Sequence, residues 1–126
     1  MCLPKKVLIV GDDDNLRTAL SRCASKQAFQ VYETSDPTAA IELILTHRPQ
    51  LLIADWDLRQ ALNGVDVARC ASNHSPDTRV VMISGKSMSE LRIITSGLKV
   101  DIFLSKPFGL REMSTIFKKL DSNKPT

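Results

Sequence analysis

The chain is expected to fold as an α/β domain on a doubly wound, mostly parallel five-stranded sheet. Three observations lead there. Short β-branched or aromatic runs of four to five residues alternate with stretches of helical period, which suits buried strands joined through helices. That alternation implies right-handed crossovers and a sheet covered on both faces. Acids, a hydroxyl and a lysine collect just after the runs, where open sheets of this kind bind ligands.

The first run is 7–10 (VLIV). Leu16, Ala19, Leu20, Cys23 and Ala24 then follow at i, i+3, i+4, i+7 and i+8, a helix with one core face. The second run is 29–32 (FQVY). Ser35 or Asp36 caps the next helix, Pro37 sits near its first turn, Ile41, Ile44 and Leu45 form its stripe, and Pro49 stops it. The third run is 51–54 (LLIA), followed by a helix over about 64–73. The fourth is 80–83 (VVMI), with a helix over about 87–96. The fifth run is 100–104 (VDIFL), and the last helix carries Leu110, Met113, Phe117 and Leu120.

Composition narrows the function classes. At 126 residues the chain reads as one domain, residues 1–126, with a core over about 5–121 and a tail at 122–126. Seventeen Lys and Arg against 14 Asp and Glu leave +3, too small an excess to imply a nucleic-acid partner. Cys2, Cys23 and Cys70 show no CxxC spacing, so reduced thiols in the cytoplasm are expected rather than a disulfide framework. No apolar run approaches the roughly 18 residues of a membrane span, and Lys5 and Lys6 precede only four apolar residues, unlike a secretory signal. There is no G-x-G-x-x-G, P-loop or G-x-S-x-G to support nucleotide or hydrolase chemistry.

The strand ends carry the chemistry. The first run ends at Gly11-Asp12-Asp13-Asp14, the third at Asp55, the fourth at Ser84 and the fifth at Ser105-Lys106-Pro107. Polar loops explain part of this convergence. They explain Asp55 less well, because Leu51-Leu52-Ile53-Ala54 leads straight into a carboxylate with no turn residue before it. With Asp57, these acids make a locally negative rim on a chain of net +3.

In order and spacing, these segments resemble the receiver domain of two-component response regulators, the phosphoacceptor family that includes the chemotaxis regulator. Lys6-Val7-Leu8-Ile9-Val10, the acids and Leu16-Arg17 look like its first strand and helix. Pro49 to Asp55 looks like its phosphorylation strand, Val80-Val81-Met82-Ile83-Ser84-Gly85 like its fourth, and Phe103-Leu104-Ser105-Lys106-Pro107-Phe108 like its fifth. The resemblance covers about residues 5 to 121 and implies a flavodoxin-like (βα)5 fold with strand order 2-1-3-4-5.

By that resemblance Asp55 is the phosphoacceptor, a carboxylate nucleophile that becomes an aspartyl phosphate. Mg²⁺ would be held by the Asp12 and Asp55 side chains and the main-chain carbonyl of Asp57. Lys106 would stabilise charge on the transferring phosphoryl group. Ser84 would hydrogen-bond it as a switch, Gly85 would leave room, and the bond before Pro107 would be cis. Phe103 stands where the family has a switching aromatic, with a core position equally open; without a hydroxyl it should favour facing inward. The donor would be a sensor histidine kinase or a histidine phosphotransfer protein, and output would pass to a downstream protein through the fourth helix, fifth strand and fifth helix. Enzymatic activity would extend no further than self-catalysed phosphotransfer and autodephosphorylation. Since the chain stops after the fifth helix, it is expected to hold no output domain, whether free-standing or cut from a longer protein.

Departures from the family pattern matter. The family's first strand ends in two adjacent acids; here the first of the pair falls on Gly11, which should weaken Mg²⁺ binding. Beyond Asp55, Arg59 takes a position usually held by proline, and the loop to Gly64 is about one residue longer. Asp57 and Lys86, each two residues beyond a site residue, could pair across the phosphoryl group and set its lifetime. A receiver-fold adaptor that works without phosphate is therefore an alternative. A flavodoxin-like cofactor protein is another, disfavoured by an acidic first turn where a cofactor phosphate needs amides and hydroxyls. His47 and His74 (the latter expected in a loop) read as structural, Cys23 and Cys70 as small core residues, and Lys118-Lys119 as a solvated face.

Overall fold

A computed structural model describes residues 5–55, 64–85, 89 and 97–122. The elements in chain order are β1 (Lys6–Val10), α1 (Asp14–Lys26), β2 (Gln30–Thr34), α2 (Pro37–His47), β3 (Leu51–Asp55), α3 (Gly64–His74), β4 (Arg79–Ser84), β5 (Ile102–Ser105) and α4 (Leu110–Ser122). The helix expected over 87–96 lies outside the described residues but for Ser89.

All pairings are parallel, and the five strands run in the order β2-β1-β3-β4-β5. Alternate residues of the central strands serve opposite faces. Leu8, Val10, Leu52, Ala54, Val80 and Met82 pack with Ala40 and Ile44 of α2 and Val67, Ala68 and Ala71 of α3. Val7, Ile9, Leu51, Ile53, Val81 and Ile83 pack with Leu20 and Ala24 of α1 and Met113, Ile116 and Phe117 of α4. Both faces are covered, so period two produces continuous apolar runs instead of an apolar–polar alternation.

Local chemistry sets the element ends. Asp13 caps α1, its carboxylate accepting from the N–H groups of Asn15 at 2.9 Å and Leu16 at 3.1 Å. Of the two cap candidates for α2, Asp36 is the cap, accepting from Thr38 N–H at 3.0 Å with Pro37 in the first helical turn. Arg48 ends that helix in the left-handed region, φ 45°, just before Pro49.

Several expected boundaries shift for identifiable reasons. Phe29 precedes β2: its N–H closes onto the Ala24 carbonyl at 3.1 Å, after Ala28 turns through φ 67°, so it finishes the α1 terminus. β2 instead runs on to Thr34, which pairs with Val10. β5 begins at Ile102 because the preceding Asp101 uses its carboxylate, rather than a carbonyl, to accept Val80 N–H at 2.7 Å. α3 includes His74, which was expected in a loop. Leu45 and Leu110, expected on core stripes, are 48% and 68% exposed. Ile44 already fills the sheet-facing position of α2, and Leu110 sits at the first turn of α4, beside the rim where the strands end.

Candidate functional site

The sheet register brings three strand ends side by side. Asp55 pairs with Ile83, and Ser84 pairs with Ser105, so Asp55, Ser84 and Lys106 emerge from β3, β4 and β5 on one rim. Lys106 Nζ donates to Asp55 Oδ2 at 2.8 Å, across 51 residues of sequence. The Asp55 side chain is 7% exposed and that of Lys106 33%. A carboxylate so buried is costly unless paired, and the ammonium supplies that charge. Lys106 is itself held by its N–H, which donates to the Ser84 carbonyl at 2.9 Å. The Lys106–Pro107 peptide bond is cis. Ser84 is wholly buried.

On the other side of Asp55 lies Gly11, the first residue after β1. A Cβ built there would stand 3.5 Å from Asp55 Cβ and 3.9 Å from Asp55 Oδ2, in ordinary contact. Position 11 therefore faces the carboxylate and has room for a Cβ, yet supplies none. Asp12 follows, partly buried.

The acids of the rim divide their work. Asp13 is committed to capping α1, and Asp14 pairs with Arg17 at 2.5 Å. Asp12 and Asp55 are the acids whose carboxylates the resemblance assigns to a cation. Both offer hard oxygen donors, which suit Mg²⁺ completed by water and phosphoryl oxygens. Among the described residues, no group of three or more His, Cys, Asp or Glu is arranged to hold a metal. Asp57, with Arg59 and Lys86, lies outside the described residues. Phe103 pairs with Met82 in the ladder and is half-buried against the α2–α3 side of the core.

Arg17 is the residue to which the sequence assigned no role. Its Nη1 donates to the Gly11 carbonyl at 2.6 Å, and its other nitrogens meet Asp14 and Glu33. The spacing of Asp14 and Arg17, three apart on a helix, signals their pair. The contact with Gly11 has no such sequence signal.

His47 stacks on Tyr32 with ring centroids 4.3 Å apart, a structural contact at the α2 terminus. Cys23 and Cys70 are partly buried and pack against opposite core clusters. Burial pushes the Cys70 thiol up from its ordinary range, away from the reactive thiolate. Among the described residues, no helix is long and apolar enough to cross a membrane.

Comparison with known proteins agrees with this geometry. The response regulator MprA of Mycobacterium sp. (strain KMS) is 27% identical over 111 residues, 88% of this chain and 48% of that protein. The chain spans about half the length of the curated relatives it matches. A CheY-like response regulator receiver domain protein from Methanospirillum hungatei superimposes with a TM-score of 0.83 at 21% identity, covering 94% of this chain and 95% of that one. The receiver domain of the sensor histidine kinase PA1611 from Pseudomonas aeruginosa, solved with magnesium coordinated in its active site cleft, superimposes with a TM-score of 0.80 at 17% identity, covering 95% and 100%. These structures share the fold. A sequence model of the response regulator receiver domain matches residues 7–118, which take in all five strands but for Lys6 and the rim where Asp55 meets Lys106, and the chain belongs to that family.

Proposed function

We propose that this receiver domain accepts a phosphoryl group from a phosphohistidine donor onto Asp55 and passes the change on as altered binding of a partner protein. The observation that carries the reading is the Lys106–Asp55 contact of 2.8 Å at the carboxyl end of the sheet. A buried carboxylate paired with the Lys106 ammonium has its oxygens placed for attack on phosphorus at the open rim. As an Asp55 oxygen bonds to phosphorus, the phosphorus–nitrogen bond to the donor imidazole breaks, and the ring leaves neutral with its other nitrogen protonated. Lys106, already in reach, transfers its hydrogen bond to phosphoryl oxygen as charge builds there. Ser84, one strand over, supplies a hydroxyl that moves toward the new group and draws its loop with it.

Asp12 and Asp55, with the main-chain carbonyl of Asp57, are the ligands we assign to Mg²⁺. When bound, that ion offsets the charge between the carboxylates and an approaching phosphoryl group. The kinase or histidine phosphotransfer protein would be met in the cytoplasm. Output would use β5, α4 and residues 87–96, where the sequence is expected to form the intervening helix, with Phe103 as its switching aromatic. Such a switch needs differential binding energy between the two states of Asp55.

The test is Mg²⁺-dependent uptake of labelled phosphate from a small acyl phosphate donor, with Asp55→Asn as control. Uptake in the wild type and its loss in the variant support the reading. No uptake at saturating Mg²⁺ favours the second reading, an adaptor that binds partners without phosphate, which Gly11 beside Asp55 motivates.

A further inference from the structure

We propose that Arg17 is a positioning residue that fixes Asp12 for cation binding; the proposal rests on the assignment of Asp12 as a ligand of Mg²⁺. Arg17 holds the carbonyl groups on both sides of Asp12. Its backbone N–H donates to the Asp13 carbonyl at 2.9 Å, and its Nη1 donates to the Gly11 carbonyl at 2.6 Å. The Gly11 N–H is meanwhile tied to the Thr34 carbonyl at 3.1 Å, and the Asp13 carboxylate caps α1. Asp12 thus follows a peptide unit fixed by the Arg17 side chain and precedes Asp13, whose carboxylate caps α1 and whose carbonyl accepts the first hydrogen bond of that helix.

The rest of the Arg17 side chain is arranged to hold that grip. Nη2 meets Asp14 Oδ1 at 2.5 Å and Nε meets Glu33 Oε1 at 3.4 Å, one acid from the first turn of α1 and one from the edge strand β2. The guanidinium is planar and its fork is preorganised, so two carboxylates fix its plane and aim Nη1 at the third partner. Only 16% of the Arg17 side chain is exposed, although Asp14 is 84% exposed. A surface ion pair joining a helix to a strand would contribute little and would not need burial. A charge-assisted bond to a loop carbonyl is stronger and directional.

Gly11 makes the grip necessary. With no side chain to pack against Asp55, the residue preceding Asp12 brings its own backbone freedom to the loop. The hydrogen bond that Gly11 donates to the Thr34 carbonyl and the one its carbonyl accepts from Arg17 remove it. Residues that orient a ligand from behind usually change metal affinity by roughly 10–100-fold when lost.

The experiment measures divalent affinity directly, using Mn²⁺ as the probe, with the bound fraction read from water-proton relaxation and Mg²⁺ as competitor. Wild type, Asp12→Asn, Arg17→Met, Arg17→Lys and the Asp12→Asn/Arg17→Met double variant are compared, each checked by urea unfolding and measured where folded. Arg17→Met is expected to weaken binding roughly tenfold. Arg17→Lys, which keeps one donor for the Gly11 carbonyl, should recover part of it. The double variant should bind no more weakly than Asp12→Asn alone, because Arg17 acts through Asp12. If Asp12→Asn weakens binding and folded Arg17→Met does not, or the two losses add in full, the role of Arg17 is overturned while the cation assignment stands. If the wild type binds no Mn²⁺, or Asp12→Asn binds as tightly as wild type, the cation assignment fails and the proposal fails with it.

Discussion

Lys106 Nζ and Asp55 Oδ2 meet at 2.8 Å, an ion pair in which the carboxylate is buried and the ammonium a third exposed. The asymmetry has consequences. Each partner is expected to fail differently when removed.

Lys106→Met removes the cation paired with a buried carboxylate, and stability should fall by about 1–3 kcal/mol, the range for a buried polar group that loses a partner. Asp55→Asn keeps an oxygen acceptor for Lys106 and should cost less. In phosphate uptake the order reverses: Asp55→Asn abolishes it, while Lys106→Met slows it by roughly 10²–10³-fold, as when a charge-stabilising donor is lost. Urea unfolding and labelled-phosphate kinetics on the same preparations check both halves.

Gly11→Asp should make stability depend on divalent cations. The Cβ fits, 3.5 Å from Asp55 Cβ, but a carboxylate there adds like charge beside Asp55. At separations near 4 Å that repulsion is about 1–4 kcal/mol between bulk-water and near-surface dielectrics. The melting temperature with a chelator should drop below wild type, then rise with Mg²⁺ by more than wild type does. Gly11→Ala, whose Cβ would make only ordinary contact, should match wild type or exceed it by up to about 1 kcal/mol in either condition.

Phe117 and Leu45 provide a packing contrast. Phe117 is fully buried and meets Phe29 with ring centroids 5.6 Å apart. Phe117→Ala should cost about 3–5 kcal/mol. Leu45, half exposed, should change stability by less than about 0.5 kcal/mol when replaced by Ala. Chemical denaturation of the two variants separates the stripe that packs from the one that does not.

Glu112 gives the start of α4 a pH dependence. Its carboxylate accepts from the Gly109 N–H at 2.7 Å, and hydrogen bonds from its own and the Gly109 backbone hold its pKa below the ordinary 4.5. A depressed carboxylate pKa adds stability that is complete above the unfolded value and disappears as pH falls through the folded one. The gap in urea midpoint between wild type and Glu112→Gln should therefore be largest near neutral pH and close in acid. A constant gap from pH 7 to about 3 would contradict it.

Much of the architecture is legible one segment at a time. Residues 51–54 are apolar without alternation because both faces of β3 are covered, and the same physics marks β1 and β4. Pro37 behind Asp36 announces the start of α2 because a proline lacks the N–H that a first turn would leave unpaired. Asp55 stands out because a carboxylate directly ends an apolar strand. These signals are local: each depends on residues within a turn or a strand length.

What the chain decides only on folding is who meets whom. Phe29 looks like the start of a strand, yet its N–H is taken by Ala24 and the strand starts one residue later. Leu45 and Leu110 are apolar and suitably spaced, but the fold leaves about half of the one and two thirds of the other exposed. Arg17 resembles an ordinary helix-surface residue until β1 and β2 are placed beside α1, when its guanidinium finds Gly11 and Glu33. Hydrophobic period and capping are properties of the chain near one residue. Register between strands, and with it the meeting of Lys106 and Asp55 across 51 residues, follows from burying both faces of one sheet at once.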